Sequence, residues 1–160
     1  IRDMSKNPLS ASINAYVMQD EARHVAFGRL ALRDYYPHLS ASEMAEREEF
    51  LIQGCWHMRD RFTSEELWGA LGLPEKECVQ WVEQSESFQL FRTRLFSRIV
   101  PIVRDIGMWT DNVHAAFEKM GVLEFFDPNR DVDEMLANHE KVAEEFDAKA
   151  HVTQAIQAAE

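Results

Sequence analysis

Asp20, Glu21, Arg23 and His24 interrupt an otherwise apolar stretch, Gln19-Asp-Glu-Ala-Arg-His-Val-Ala-Phe-Gly28. A carboxylate and an imidazole three residues apart are metal-donor types at a helical spacing. Positions i and i+3 of a helix lie on one face with their Cβ atoms about 5–6 Å apart, so Glu21 and His24 can hold one ion together. On a helical wheel they share a stripe with Ile13, Val17, Gly28 and Ala31, which places them on the side expected to face inward. A buried carboxylate without a partner is costly, and a metal ion is one of few groups able to compensate it. Gly28, one turn beyond His24, leaves room for a neighbouring helix or a bound group. The competing reading is a solvated or hydrogen-bonded pair, because Glu-x-x-His recurs by chance on helices.

The element that must position this pair is long. Asn7 can cap a helix and Pro8 suits its first position, where a missing N–H has no partner to lose. Apolar residues then recur at three- and four-residue spacing from Leu9 to about Tyr36, until Pro37 stops the run. A second helix is signalled by Ser40 or Ser42 as cap with Glu43 and Glu46 in its first turn, and carries Met44, Leu51, Cys55 and Met58 on one side. Gly72-Leu-Pro74 is a turn, and Pro74 opens a third helix with Val79, Trp81 and Val82. Phe88 to Val103 is richer still in apolar residues, with Pro101 and Gly107 as points of kinking or breakage. A shorter helix closes at Gly121, and a last one runs from Leu136 toward an Ala- and Gln-rich end expected to fray. No stretch alternates with period two and no hairpin dipeptide occurs, so the expectation is an all-α protein of five or six helices.

At 160 residues the chain is expected to form a single helical domain, large enough to bury a core without disulfide or structural metal. Seventeen basic against 28 acidic residues give a net charge of −11, which argues against a nucleic-acid partner. Apolar runs are too short for a membrane partner, nothing resembles a signal peptide, and Cys55 and Cys78 read as free thiols; a cytoplasmic location follows. The sequence opens on Ile1 rather than Met, as a piece of something longer does.

The run Asp20-Glu-Ala-Arg-His-Val-Ala-Phe-Gly28 resembles the second Glu-x-x-His motif of the ferritin-like di-iron carboxylate proteins, the group of the ribonucleotide reductase small subunit, bacterial multicomponent monooxygenases and arylamine N-oxygenases. The wider segments Tyr16–Leu32, Ile99–Trp109 and Met120–Phe125 add to the likeness. The resemblance implies a ferritin-like helical bundle of which these residues are the C-terminal portion. It implies Glu21 as a carboxylate ligand and His24 as a nitrogen ligand, and iron as the metal, two ions in the complete site, with manganese as the alternative. Asp20 would accept a hydrogen bond from a metal-bound histidine of the opposite helix pair and so orient it, and Arg23 would form an interhelical salt bridge. The implied activity is that of an iron-dependent oxidoreductase using dioxygen and a small-molecule substrate, by hydroxylation, N-oxygenation, desaturation or ferroxidation. Such sites take a Glu from each of two helices and Glu-x-x-His from each of two others. No second Glu-x-x-His is present, so about a third of the ligand set lies here, too little for activity alone.

An alternative class is a non-enzymatic helical oligomerisation or scaffold module that binds no metal. His38, His57, His114, His139 and His151 read as surface residues, and Trp56, Trp68, Trp81, Phe88, Phe91, Phe96 and Trp109 as core or interface rather than a cofactor box. Beyond the metal pair, no cofactor-binding motif and no nucleophile–base pair is legible. The apolar stripe of the motif helix needs a cover from elsewhere, which leads to the expectation of a homo-oligomer.

Overall fold

A computed structural model of the chain describes residues 7–144, with seven α-helices and two single-turn 3-10 segments and no strand among them. The chain is all-α. The helices are α1 (Pro8–Tyr35), α2 (Ala41–Asp60), α3 (Glu65–Ala70), α4 (Glu75–Gln84), α5 (Glu86–Asp105), α6 (Asp111–Met120) and α7 (Val132–Glu144). Six have ten residues or more, within the five or six expected; the seventh, α3, is a six-residue turn-and-a-half that no sequence period announces.

Local chemistry sets the ends. Asn7 caps α1 by accepting from the Ser10 N–H at 3.1 Å, and the helix gives way to a 3-10 turn at Tyr36–His38 because Pro37 disfavours α geometry in the residue before it. Of the two candidate serines, Ser40 caps α2. Its hydroxyl accepts from the Glu43 N–H while the Glu43 carboxylate accepts from the Ser40 N–H at 2.9 Å, a reciprocal box. Ser85, in extended backbone, ends α4 and caps α5 through the Phe88 N–H at 3.2 Å. Pro101 does not break its helix: α5 runs through it to Asp105, with Val100, Pro101 and Val103 buried, and stops just short of Gly107, whose φ is +81°. Gly121, at φ +70°, closes α6 as expected. The last helix starts at Val132, four residues earlier than its apolar period suggests, because the Asp131 carboxylate accepts from the Glu134 N–H. The Ala- and Gln-rich end expected to fray and His151 lie outside the described residues.

Two compact units are formed, one from residues up to 32 together with those from 129 onward, the other from Arg33–Pro128. In the second, Phe96, Val100, Met108, Val113, Phe117 and Met120 make a closed core, with Trp109 stacked on Phe126 at 4.5 Å between centroids and edge-on to Phe117 at 5.6 Å. The first unit has a different interior. Its buried positions on α1 are Ala11, Ser12, Ala15, Ala22 and Arg29, a face of small residues closed by one cation.

Candidate metal centre

The pair sits near the middle of α1, on its outward face. His24 Nδ1 lies 3.5 Å from Glu21 Oε2, and the two side chains are 73% and 64% exposed. Two donors about 2.1 Å from one ion stand about 3.0 Å apart at a right angle and about 3.4 Å apart in a tetrahedron. The observed separation is therefore close to what joint coordination requires, and a small rotamer adjustment closes the rest.

The expectation that this stripe faces inward is not met. Ile13 and Val17 on the same side are half-exposed, as are Leu9 and Tyr16 beside them, and Phe27 is 76% exposed. α1 carries apolar residues on nearly every side, so period alone leaves its inner face undecided. The small residues Ala11, Ala15 and Ala22 decide it, because they allow close backbone approach. The side opposite them, with Glu21 and His24, is left as an apolar strip with a polar centre.

Asp20 and Arg23 pair with each other within the helix, Oδ1 to Nη1 3.6 Å, both largely exposed. Arg23 therefore makes a contact within its own helix rather than the interhelical one expected. The cation that does reach across is Arg29. Its side chain is 3% exposed, and Nη1 donates to Oδ1 of Asp133 on α7, tying the two helices of this unit together. The sequence signal for it is a seven-residue step from Ala22, itself seven residues from Ala15, on the small-residue face.

Glu21 and His24 supply two donors, and among the described residues no group of three or more His, Cys, Asp or Glu stands close enough to hold an ion. The donor types and their separation fit about a third of the ligand set of a two-ion carboxylate-and-histidine centre and leave the rest to be provided. His57 is exposed at an open cleft of about 570 Å³ shared with Asp60, Arg61 and Glu66, in no ligand cluster, and His38 and His114 are exposed as read from the sequence. Trp68 and Trp81 line a smaller hollow of about 310 Å³ with Pro74, Glu77 and Cys78. Phe88 and Phe96 are core residues as expected, whereas Trp81 is exposed. Both cysteines are free; burial pushes the Cys55 thiol up to about 11, and Cys78 is half-buried. No described helix is long and apolar enough to cross a membrane.

No protein-family model, no curated protein and no solved structure matches the chain.

Proposed function

We propose that α1 contributes one Glu-x-x-His ligand pair, Glu21 and His24, to a di-iron carboxylate centre of an oxidoreductase that activates dioxygen. The observation that carries this reading is the 3.5 Å approach of the two donors at the centre of an uncovered apolar strip. An isolated surface pair has no need of Ile13, Val17 and Phe27 around it, whereas a centre completed by further helices needs both the donors and a dry flanking surface. The metal pair, when bound, supplies the electrons that reduce dioxygen. The chain's own part is narrower. Glu21 offers negative charge to offset that of the cations, His24 offers a neutral nitrogen, and the apolar strip excludes water once covered. Asp20, held by Arg23 on the flank of the strip, accepts a hydrogen bond from a neighbouring ring. The substrate is a small molecule of unassigned class.

Oxygen consumption by the Fe²⁺-loaded protein, with the remaining ligands of the centre supplied, tests the reading. The expected result is uptake that depends on iron and falls at least tenfold in Glu21→Ala and His24→Ala. Uptake equal in all three proteins would refute it.

A second reading rests on the same strip and on the exposure of both donors: a helical association module that binds no metal, in which Glu21 and His24 contact only each other. It gives no metal-dependent oxygen uptake and a melting temperature indifferent to chelator.

A further inference from the structure

The strip on α1 is self-complementary. Taking the point between Ala22 and Arg23 as centre, Glu21 and His24 are equidistant from it, as are Val17 and Gly28, Asn14 and Ala31, and Ile13 and Leu32. At 100° per residue these pairs all straddle one line along the helix. That centre lies within about one residue of the middle of Pro8–Tyr35. What marks this centre is the residue types it pairs, a carboxylate with an imidazole and a branched side chain with a glycine, as an isologous twofold interface needs, in which residue i meets j and j meets i.

We infer that two copies of this chain pair antiparallel through α1, centred between Ala22 and Arg23, so that Glu21 and His24 of both copies together form one metal site. This rests on the ligand role of Glu21 and His24 proposed above and adds where two of the missing donors come from, the Glu21 and His24 of a second copy, enough to hold one ion. Antiparallel pairing sets each Glu21 against the other copy's His24, whereas parallel pairing would set carboxylate against carboxylate. It also sets each Val17 over the other copy's Gly28, where a Cβ would find nothing within 4 Å, so the branched side chain has a hole to enter and the helix axes can approach closely. Two carboxylates brought together away from water require a cation, and two imidazoles complete a four-donor set of the kind that Zn²⁺, Co²⁺ or Fe²⁺ accepts. The exposed apolar side chains on and beside the strip, on an element about 42 Å long, offer on the order of 500 Å² per copy. Two copies bury about 1,000 Å², the lower bound for a specific interface, and the metal adds to it.

The test is directed cross-linking with metal binding as a second readout. In a Cys78→Ser background, one preparation carries Val17→Cys and another Gly28→Cys; the two are mixed and mildly oxidised. Co²⁺ is titrated into the Cys78→Ser parent and into Gly28→Leu, whose added side chain has open space in the single chain but blocks the close approach. The expected result is a 17-to-28 disulfide in the mixture, little 17-to-17 product, Co²⁺ bound by a dimer, and a Gly28→Leu monomer with at least tenfold weaker Co²⁺ affinity. A parent that stays monomeric, a 17-to-17 product in place of the mixed one, or a dimer that takes up no Co²⁺ would each overturn the inference. A monomer that still holds iron through Glu21 and His24 and consumes oxygen would overturn the pairing and leave the oxidoreductase reading standing. A cross-linked, Co²⁺-binding dimer that consumes no oxygen with Fe²⁺ would do the reverse.

Discussion

Which side of α1 is inside can be read from two substitutions two residues apart. Ile13 is 54% exposed and Ala15 fully buried. Truncating Ile13 to Ala removes less than half of the roughly 1.5–3 kcal/mol that full burial of such a side chain contributes, and the better helix propensity of Ala returns a few tenths, so the net cost is about 0.5–1 kcal/mol. Ala15→Leu forces three more carbons into a filled space, at a cost of about 1–3 kcal/mol or more. Urea unfolding followed by circular dichroism, at dilution low enough to keep copies apart, measures both. The order Ala15→Leu worse than Ile13→Ala is expected. If Ile13→Ala costs about 2–5 kcal/mol, as truncation of a buried Ile does, and Ala15→Leu is neutral, the facing of the helix is reversed and the reasoning fails. Repeating the series at high concentration adds a check: the cost of Ile13→Ala should grow if a second copy covers it.

Other outcomes follow from single contacts. Thr110→Ala removes the hydroxyl that accepts from the Val113 N–H at 3.2 Å, and thermal or urea unfolding should show a loss of about 1 kcal/mol. With its thiol held up at about 11 by burial, Cys55 should resist iodoacetamide at about pH 8 while half-buried Cys78 reacts, and mass spectrometry of the folded protein separates the two. Hydrogen bonds from the Ser40 hydroxyl and backbone hold the Glu43 carboxyl below its ordinary value of 4.5. Its folded value being depressed, the stabilisation is present above that ordinary value and is lost as pH falls through the folded one. Glu43→Gln should therefore be less stable than the parent near neutral pH, with the gap narrowing in acid; a gap that widens in acid contradicts the capping box.

The sequence carried the fold further than the site. Asn7, Pro37, Ser40, Glu43 and Gly121 act at helix ends through their own side chains or fixed dihedrals, so their effects are legible without knowing what packs where. Ser85 is not singled out by the sequence because it stands inside a run of five polar residues, 83–87, that holds a second serine, and it is its extended backbone that divides α4 from α5. Pro101 shows the opposite failure: a strong local breaker inside a helix whose flanks are buried against the core. The facing of α1 was not legible, because large apolar residues occupy the outer side and small ones the inner, and hydrophobicity ranks the two in the wrong order. The burial of Arg29 was hidden for a related reason, since its partner Asp133 lies 104 positions away. The spacing of Glu21 and His24 was legible from the sequence, and the structure adds their separation and their exposure.

Metal content reports most directly on the claim that Glu21 and His24 are ligands. The protein is purified as it is made, without added chelator, and analysed by inductively coupled plasma mass spectrometry beside Glu21→Ala and His24→Ala variants of matched helicity. The account predicts iron in the parent at near-stoichiometric level and a loss of most of it in both variants. Iron retained unchanged in both variants, or a parent that holds none after reconstitution with Fe²⁺, would contradict it.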